Sequence, residues 1–303
     1  MTVGNSAITG KSWSDRIFDF FVYFVVLFVV VITIYPFLNV LAISLNDSVD
    51  SVRGGVTIYP RDFTWDNYLK IFTFSGLITG FKISALRTII GTLFGLISAS
   101  MLAFTISRPD FAGRKFVSTF LAMTMYISGG MIPIYMLIKD LHMMNSFAVY
   151  VLPGLVSAFN VFVIRSFIDG LPYALQESAK LDGANDFTIY FRVILPLMKP
   201  ALATIALFLA VGQWNAWFDT YLYNGSSPNL TTLQYELMKV LQTTTSGNGG
   251  DYRSNIASLA SNQVSPESLK MAITIVVTVP ILLVYPFIQK YFVKGMTLGA
   301  VKS

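Results

Sequence analysis

The sequence predicts an all-α integral membrane protein: one domain of six transmembrane helices over 17–292, between short terminal segments. Three observations predict it. First, 54% of the 303 residues are hydrophobic and 12% are charged, with a mean hydropathy of +0.63, whereas charged residues make up about a quarter of a soluble domain. Second, apolar runs of about 20 residues, the length that crosses a bilayer as a helix, fall at 17–45, 84–106, 116–138, 147–168, 197–221 and 271–292. Third, the basic residues between them favour one side.

Each element follows in order. The N-terminal segment 1–16 places Lys11, Asp15 and Arg16 before the first run, which is long and lacks a small-residue cleavage pattern. It reads as a retained helix and not a removable signal. An outer loop, 46–83, leads to the second run, and the compact loop 107–115 contributes Arg108, Arg114 and Lys115. With the N-terminus inside, twelve of the 21 lysines and arginines lie on inner segments and nine on the longer outer ones. Short loops set orientation, so both termini are placed in the cytoplasm. The net charge of +5 is thereby a sign of orientation and not of nucleic-acid binding. The outer loop 222–270, with TTTSGNGGDYRSN inside it, reads as a flexible surface segment. The tail 293–303 returns to the cytoplasm.

Between the fourth and fifth runs lies a polar stretch, 171–196 (LPYALQESAKLDGANDFTIYFRVILP). Pro172 opens a short helix to about Leu181, Asp182-Gly183 breaks it where glycine tolerates positive φ, and a second helix runs from about Asn185 to Ile194. This predicts a helix-turn-helix elbow at the membrane surface.

Catalytic chemistry has little to work with. His142 is the one histidine, cysteine is absent, and no HExxH, GxSxG or metal-spaced cluster occurs. Gly10-Lys11-Ser12 fails the Walker A spacing, because five residues and not four separate Gly4 from Gly10. The chain therefore reads as non-enzymatic, with no metal or cofactor of its own.

The elbow carries a family resemblance. Glu177-Ser178-Ala179, Asp182-Gly183-Ala184, Phe187 and Ile194-Leu195-Pro196 resemble the EAA loop of bacterial ABC importer permeases, so the implied architecture is the ABC type I importer permease fold. Ser178 departs from the alanine of the motif's name. Further motifs, PRDFTWDNY at 60–68, SGGMIP at 128–133, LPG at 152–154, QWNAW at 213–217 and YFVKGMTLGAVK at 291–302, are similar to the carbohydrate-uptake branch. They look like its smaller, maltose-permease-like subunit, of the polysaccharide- and lipoprotein-type LplC subgroup. The resemblance implies sugar import with a second homologous permease, an ATPase dimer that holds ATP and Mg, and an extracytoplasmic solute-binding protein, at the bacterial cytoplasmic membrane. It implies that Glu177 meets a basic residue of the ATPase, that Ser178 and Ala179 allow close seating, and that Gly183 makes the turn. It also implies that the tail with Lys294, Gly295 and Lys302 reaches the ATPase; the bland reading of the two lysines is positive-inside charge.

For the sugar path, Gln213, Trp214, Asn215, Trp217 and Tyr221 lie in the outer half of the fifth run. Gln213, Trp217 and Tyr221 recur every four residues and share a face of a continuous helix. Aromatic rings beside amides suit sugars, and an interfacial aromatic belt with helix–helix contacts explains the same residues. Import of a non-sugar solute and a self-sufficient channel or ion-coupled carrier are the other readings; a coupled carrier needs a mid-span acid, and Asp219 is the candidate. Gly129-Gly130 with Pro133 reads as a packing and kink site, and Arg165 as an interfacial arginine that braces Asp169 or Asp186.

Overall fold

The computed structural model describes residues 13–246 and 265–300. Among these the chain is helical, with a single isolated β-bridge, Asn46 to Phe63. It divides into two compact units, 1–70 with 254–275 and 71–253 with 276–303.

In the first unit, α1 (Trp13–Ser44) is apolar on every side, and Phe18, Phe21, Phe24 and Phe28 are all exposed. A helix hydrophobic all round belongs in lipid or against other membrane helices. A polar knot follows it. Asn46, fully buried, accepts from the backbone N–H of Arg61 and Asp62 at 2.7 and 2.9 Å and donates to Asp50 Oδ2 at 2.9 Å. Asn67 donates to the carbonyls of Ser44 and Asn46. These bonds satisfy groups that the turn after α1 would otherwise orphan, and they shape the 60–68 motif around the short α2 (Ser48–Val52) and the start of α3 (Asp66–Thr73).

In the second unit, α4 (Ser75–Ser107) is the central strut. It packs against α7 (Ala158–Asp169), α10 (Lys199–Asn215) and α11 (Leu233–Ser246). Ala99, Ala103, Ile106, Val161, Ile164, Ile194, Met198 and Ile205 form the buried core. The last helix, α12 (Pro266–Ala300), contributes to both units.

The expected six spans take two forms. Three helices are long and apolar enough to cross singly: Trp13–Ser44, Gly76–Ser107 and Pro266–Val284. The others are broken. The third run is α5 (Arg114–Tyr126) and α6 (Met131–Asp140), bent by 118°. Gly130 at φ +85° cannot continue an α-helix. A Cβ at Gly129 or Gly130 would meet nothing within 4 Å, so this site kinks the chain but does not pack closely. The fourth run is two 3₁₀ turns followed by α7, bent by 46°. The fifth is α10, and it stops at Asn215, short of Tyr221.

Residues 233–246, within the segment 222–270 that reads as a flexible loop by composition, form a helix. Leu233, Leu237 and Val240 recur at helical spacing and are buried in α11. Leu233 N–H donates to Ser84 Oγ of α4 at 2.9 Å. Most of TTTSGNGGDYRSN, like Gly4, Gly10 and Lys11, lies outside the described residues.

Candidate coupling elbow and membrane polar cluster

The elbow forms as the sequence predicts. Helix α8 (Ala174–Leu181) ends in a Schellman motif: the Gly183 N–H donates to the Lys180 carbonyl at 3.0 Å and the Ala184 N–H to the Ala179 carbonyl at 2.9 Å. Gly183 takes φ +79°, where side-chain-bearing residues are strained. Asn185 then caps the next helix, its Oδ1 accepting from Thr188 N at 2.8 Å. That helix, α9 (Asp186–Leu197), contains a π-helical stretch, Ile189–Ile194, and meets α10 at 82°. Pro196 and Pro200 flank the bend and supply no backbone N–H.

The elbow has two faces. Gln176 is buried, and Ala179 and Ala184 pack on the core. On the other side Tyr173, Glu177 and Leu181, spaced by four residues, are exposed, and Leu181 is 89% exposed. Ser178, Asp182, Gly183, Phe187 and Pro196 are exposed as well. The exposed face thus sets the Glu177 carboxylate between an aromatic ring and an apolar side chain.

Within the apolar bundle lies a second polar constellation. Arg87 of α4, buried, donates from Nε and Nη2 to Gln213 Oε1 at 3.1 and 3.0 Å, and from Nη2 to Asp219 Oδ2 at 2.6 Å. Its guanidinium lies over the Tyr150 ring, 4.4 Å from the centroid. Tyr150 OH donates to the Leu230 carbonyl at 2.6 Å. Trp214 is buried and its Nε1–H donates to the Val277 carbonyl at 3.0 Å. Gln213 and Trp214 are thus engaged within the protein, while Asn215 and Tyr221 are exposed and Trp217 is half-buried. Because α10 ends at Asn215, Gln213, Trp217 and Tyr221 do not share one continuous helix face. Beyond the break, Trp217, Phe218 and Tyr221 pack ring against ring.

A model of the binding-protein-dependent transport system inner membrane component family matches residues 91–298. The chain belongs to that family. It is 37% identical over 290 residues to the polygalacturonan/rhamnogalacturonan transport system permease protein YtcP of Bacillus subtilis (strain 168), covering 95% of this chain and 99% of that one. It is 35% identical over 274 residues to protein LplC of the same organism, covering 90% of each. Among solved structures, a chain of a bacterial ABC transporter involved in import of the acidic polysaccharide alginate superposes with a TM-score of 0.84 at 28% identity, over 93% of this chain and 99% of that one. The fold is that of an ABC type I importer permease, and the subunit is non-catalytic.

Several residues of this permease escaped sequence reading. Arg87 is the one charged residue in the 84–106 run, and a charge inside a span is the signal that marks it. Tyr173 and Leu181, each four residues from Glu177, complete the exposed stripe. Asp186 pairs with Arg108 and not with Arg165, whose Nε lies 3.4 Å from Asp169 Oδ2 and whose Nη1 donates to Ser118 Oγ at 2.9 Å. Lys294 and Gly295 fall within α12, and Lys302 lies outside the described residues.

Proposed function

We propose that this permease forms half of the translocation pathway of an ATP-driven importer for oligosaccharides derived from polysaccharides. It sits in the cytoplasmic membrane of a bacterium with both termini inside. Its partners are a second homologous permease, an ATPase dimer and an extracytoplasmic solute-binding protein. ATP and Mg²⁺ belong to the ATPase; no Walker A spacing exists in this chain.

The observation that carries the reading is the elbow's outward stripe: Glu177 exposed between Tyr173 and Leu181 on a helix whose opposite face is held by the core. Glu177 meets a basic residue of the ATPase, Ser178 and Ala179 permit close seating, and Asp182, Gly183, Ala184, Phe187 and Pro196 fix the elbow's shape. Closure of the ATPase dimer then turns α9 and α10 as near-rigid bodies and switches access. The tail with Lys294, Gly295 and Lys302 adds a second ATPase contact. Along the sugar path, Asn215, Trp217 and Tyr221 offer an amide and ring faces, while Gln213 and Trp214 hold the wall behind them. The oligosaccharide substrate is supported by relatives that handle polygalacturonan and alginate. An ion-coupled carrier is disfavoured because Asp219, its one candidate acid, is neutralised by Arg87 at 2.6 Å.

The test is purification in mild detergent from native membranes, wild type against Glu177→Lys. An ATPase and a second permease accompany the wild type, and the substitution weakens recovery of the ATPase. A chain that purifies and transports alone overturns the proposal.

A further inference from the structure

Charge ties the inner end of α4 to the elbow. Arg108 directly follows α4, and its side chain is 10% exposed. Its Nε donates to Asp110 Oδ1 at 2.9 Å, its Nη1 reaches Asp186 Oδ1, and its guanidinium faces the Phe104 ring at 5.7 Å from the centroid. Asp110 also accepts from Lys180 Nζ at 2.7 Å. One arginine therefore holds both limbs of the elbow: α9 directly through Asp186, and α8 through Asp110 and Lys180. A planar fork of five donors can grip two carboxylates from different directions, and a lysine ammonium cannot do so with the same rigidity.

Satisfying these groups does not require the cluster. Asp110 and Asp186 are 46% and 64% exposed, so water would solvate either carboxylate if the arginine were absent, and exposed pairs add little stability. What the clamp supplies is fixed geometry. Burial of Arg108 against Phe104 makes its position that of α4, and the two carboxylates make the elbow's position that of Arg108.

We propose that Arg108 is a positioning residue for energy coupling: by gripping Asp110 and Asp186 together it fastens the inner end of α4 to both limbs of the elbow. A displacement delivered at Glu177 then moves α4 together with α10. The inference rests on the coupling reading of the elbow. Without the clamp the ATPase still docks, since the exposed stripe is untouched, but the elbow tilts on its own.

The chain has no cysteine, so Thr105→Cys on α4 and Arg192→Cys on α9, both exposed positions, give two unique sites for spin labels. The distance between them is read in the purified complex, without nucleotide and then trapped with ATP, Mg²⁺ and vanadate. In the Arg108-intact background the two labels move as one body and the distance distribution stays unchanged. In Arg108→Met it shifts by about 2 Å or more, or broadens, on trapping, and Arg108→Lys falls between. Asp186→Asn, a change at an exposed residue that spares the fold, shows a partial shift and carries the test if Arg108→Met is not inserted. Distributions that respond to nucleotide identically with and without the clamp overturn the proposal, as does loss of ATPase recovery in both variants, which would make the cluster a keeper of the docking face. A wild type that recovers no ATPase instead removes the coupling reading itself, and recovery is scored before any label is read.

Discussion

Arg87 and Asp219 are joined at 2.6 Å across the break that ends α10. The arginine side chain is 3% exposed and the aspartate 26%. Where the helix stops, the Ala216 carbonyl loses its helical partner, and Arg87 Nη1 donates to it at 3.3 Å. Arg87 thus neutralises the acid and caps the broken helix at once.

Removing one partner of this pair is predicted to cost more than removing both. Asp219→Asn strands a desolvated cation, for a loss of about 2 kcal/mol after allowing for the aspartate's partial exposure. Arg87→Met with Asp219→Asn costs less than the sum of the single changes, with a coupling of about 1 kcal/mol or more. Denaturation in detergent followed by tryptophan fluorescence measures all four corners of the cycle. Additive losses would mean the two side chains act independently.

If the pair has no role in proton transport, a protonophore leaves ATP-energised uptake by proteoliposomes at its untreated rate. A collapse of uptake with ATP still present would make Asp219 a coupling acid.

Glycines separate close packing from kinking. A Cβ at Gly80 would stand 3.0 Å from the backbone N and Cα of Leu233, atoms that cannot swing aside. At Gly129 it would meet nothing. Gly80→Ala is therefore predicted to loosen α4 from α11 and lose about 1–3 kcal/mol, whereas Gly129→Ala stays within about 0.5 kcal/mol of wild type. Thermal unfolding in one detergent compares the two directly.

Apolar runs and the polar stretch between the fourth and fifth of them made the membrane class and the elbow legible, because both are local in sequence. Asp182-Gly183 gave the turn, since positive φ after a short helix has few other hosts. The break after Asn215 was not legible. QWNAW contains neither glycine nor proline, and the chain leaves the helix there with Arg87 and Asp219, far apart in sequence, meeting across it. Arg108 was hidden in the same way: as one of three basic residues in a short loop it read as an orientation signal, and only the fold brings it to Asp186. The helical order of 233–246 was visible as Leu233, Leu237 and Val240 but was masked by the Ser, Thr and Gly that follow.

The clamp at Arg108 is predicted to be indifferent to pH across the physiological range. The guanidinium and Lys180 hold the Asp110 carboxyl well below the usual carboxylate range. A carboxylate whose folded pKa is depressed contributes its stability above the unfolded value, near 3.9, and loses it as pH falls through the lower folded value. Because the pair is solvent-exposed, the melting-temperature gap between wild type and Asp110→Asn should be small, and it should stay constant from about pH 8 to 5 and narrow only below about 4. A gap that closes between pH 7 and 5 would show that Asp110 is not held in this pair.

Gly183 tests whether backbone shape or side-chain chemistry makes the elbow. A Cβ there would meet nothing within 4 Å, so alanine pays only for φ +79°, about 1 kcal/mol. Asparagine, which visits that region more readily, should cost less. Proline can adopt neither the φ nor the hydrogen bond from residue 183 to the Lys180 carbonyl, so it abolishes the Schellman turn that sets α8 against α9. Recovery of the ATPase with the purified permease is predicted to rank asparagine and alanine close to wild type and proline far below, with the permease itself inserted in every case. Equal recovery from alanine and proline would mean that the exposed stripe from Tyr173 to Leu181 docks whatever the angle of the turn behind it.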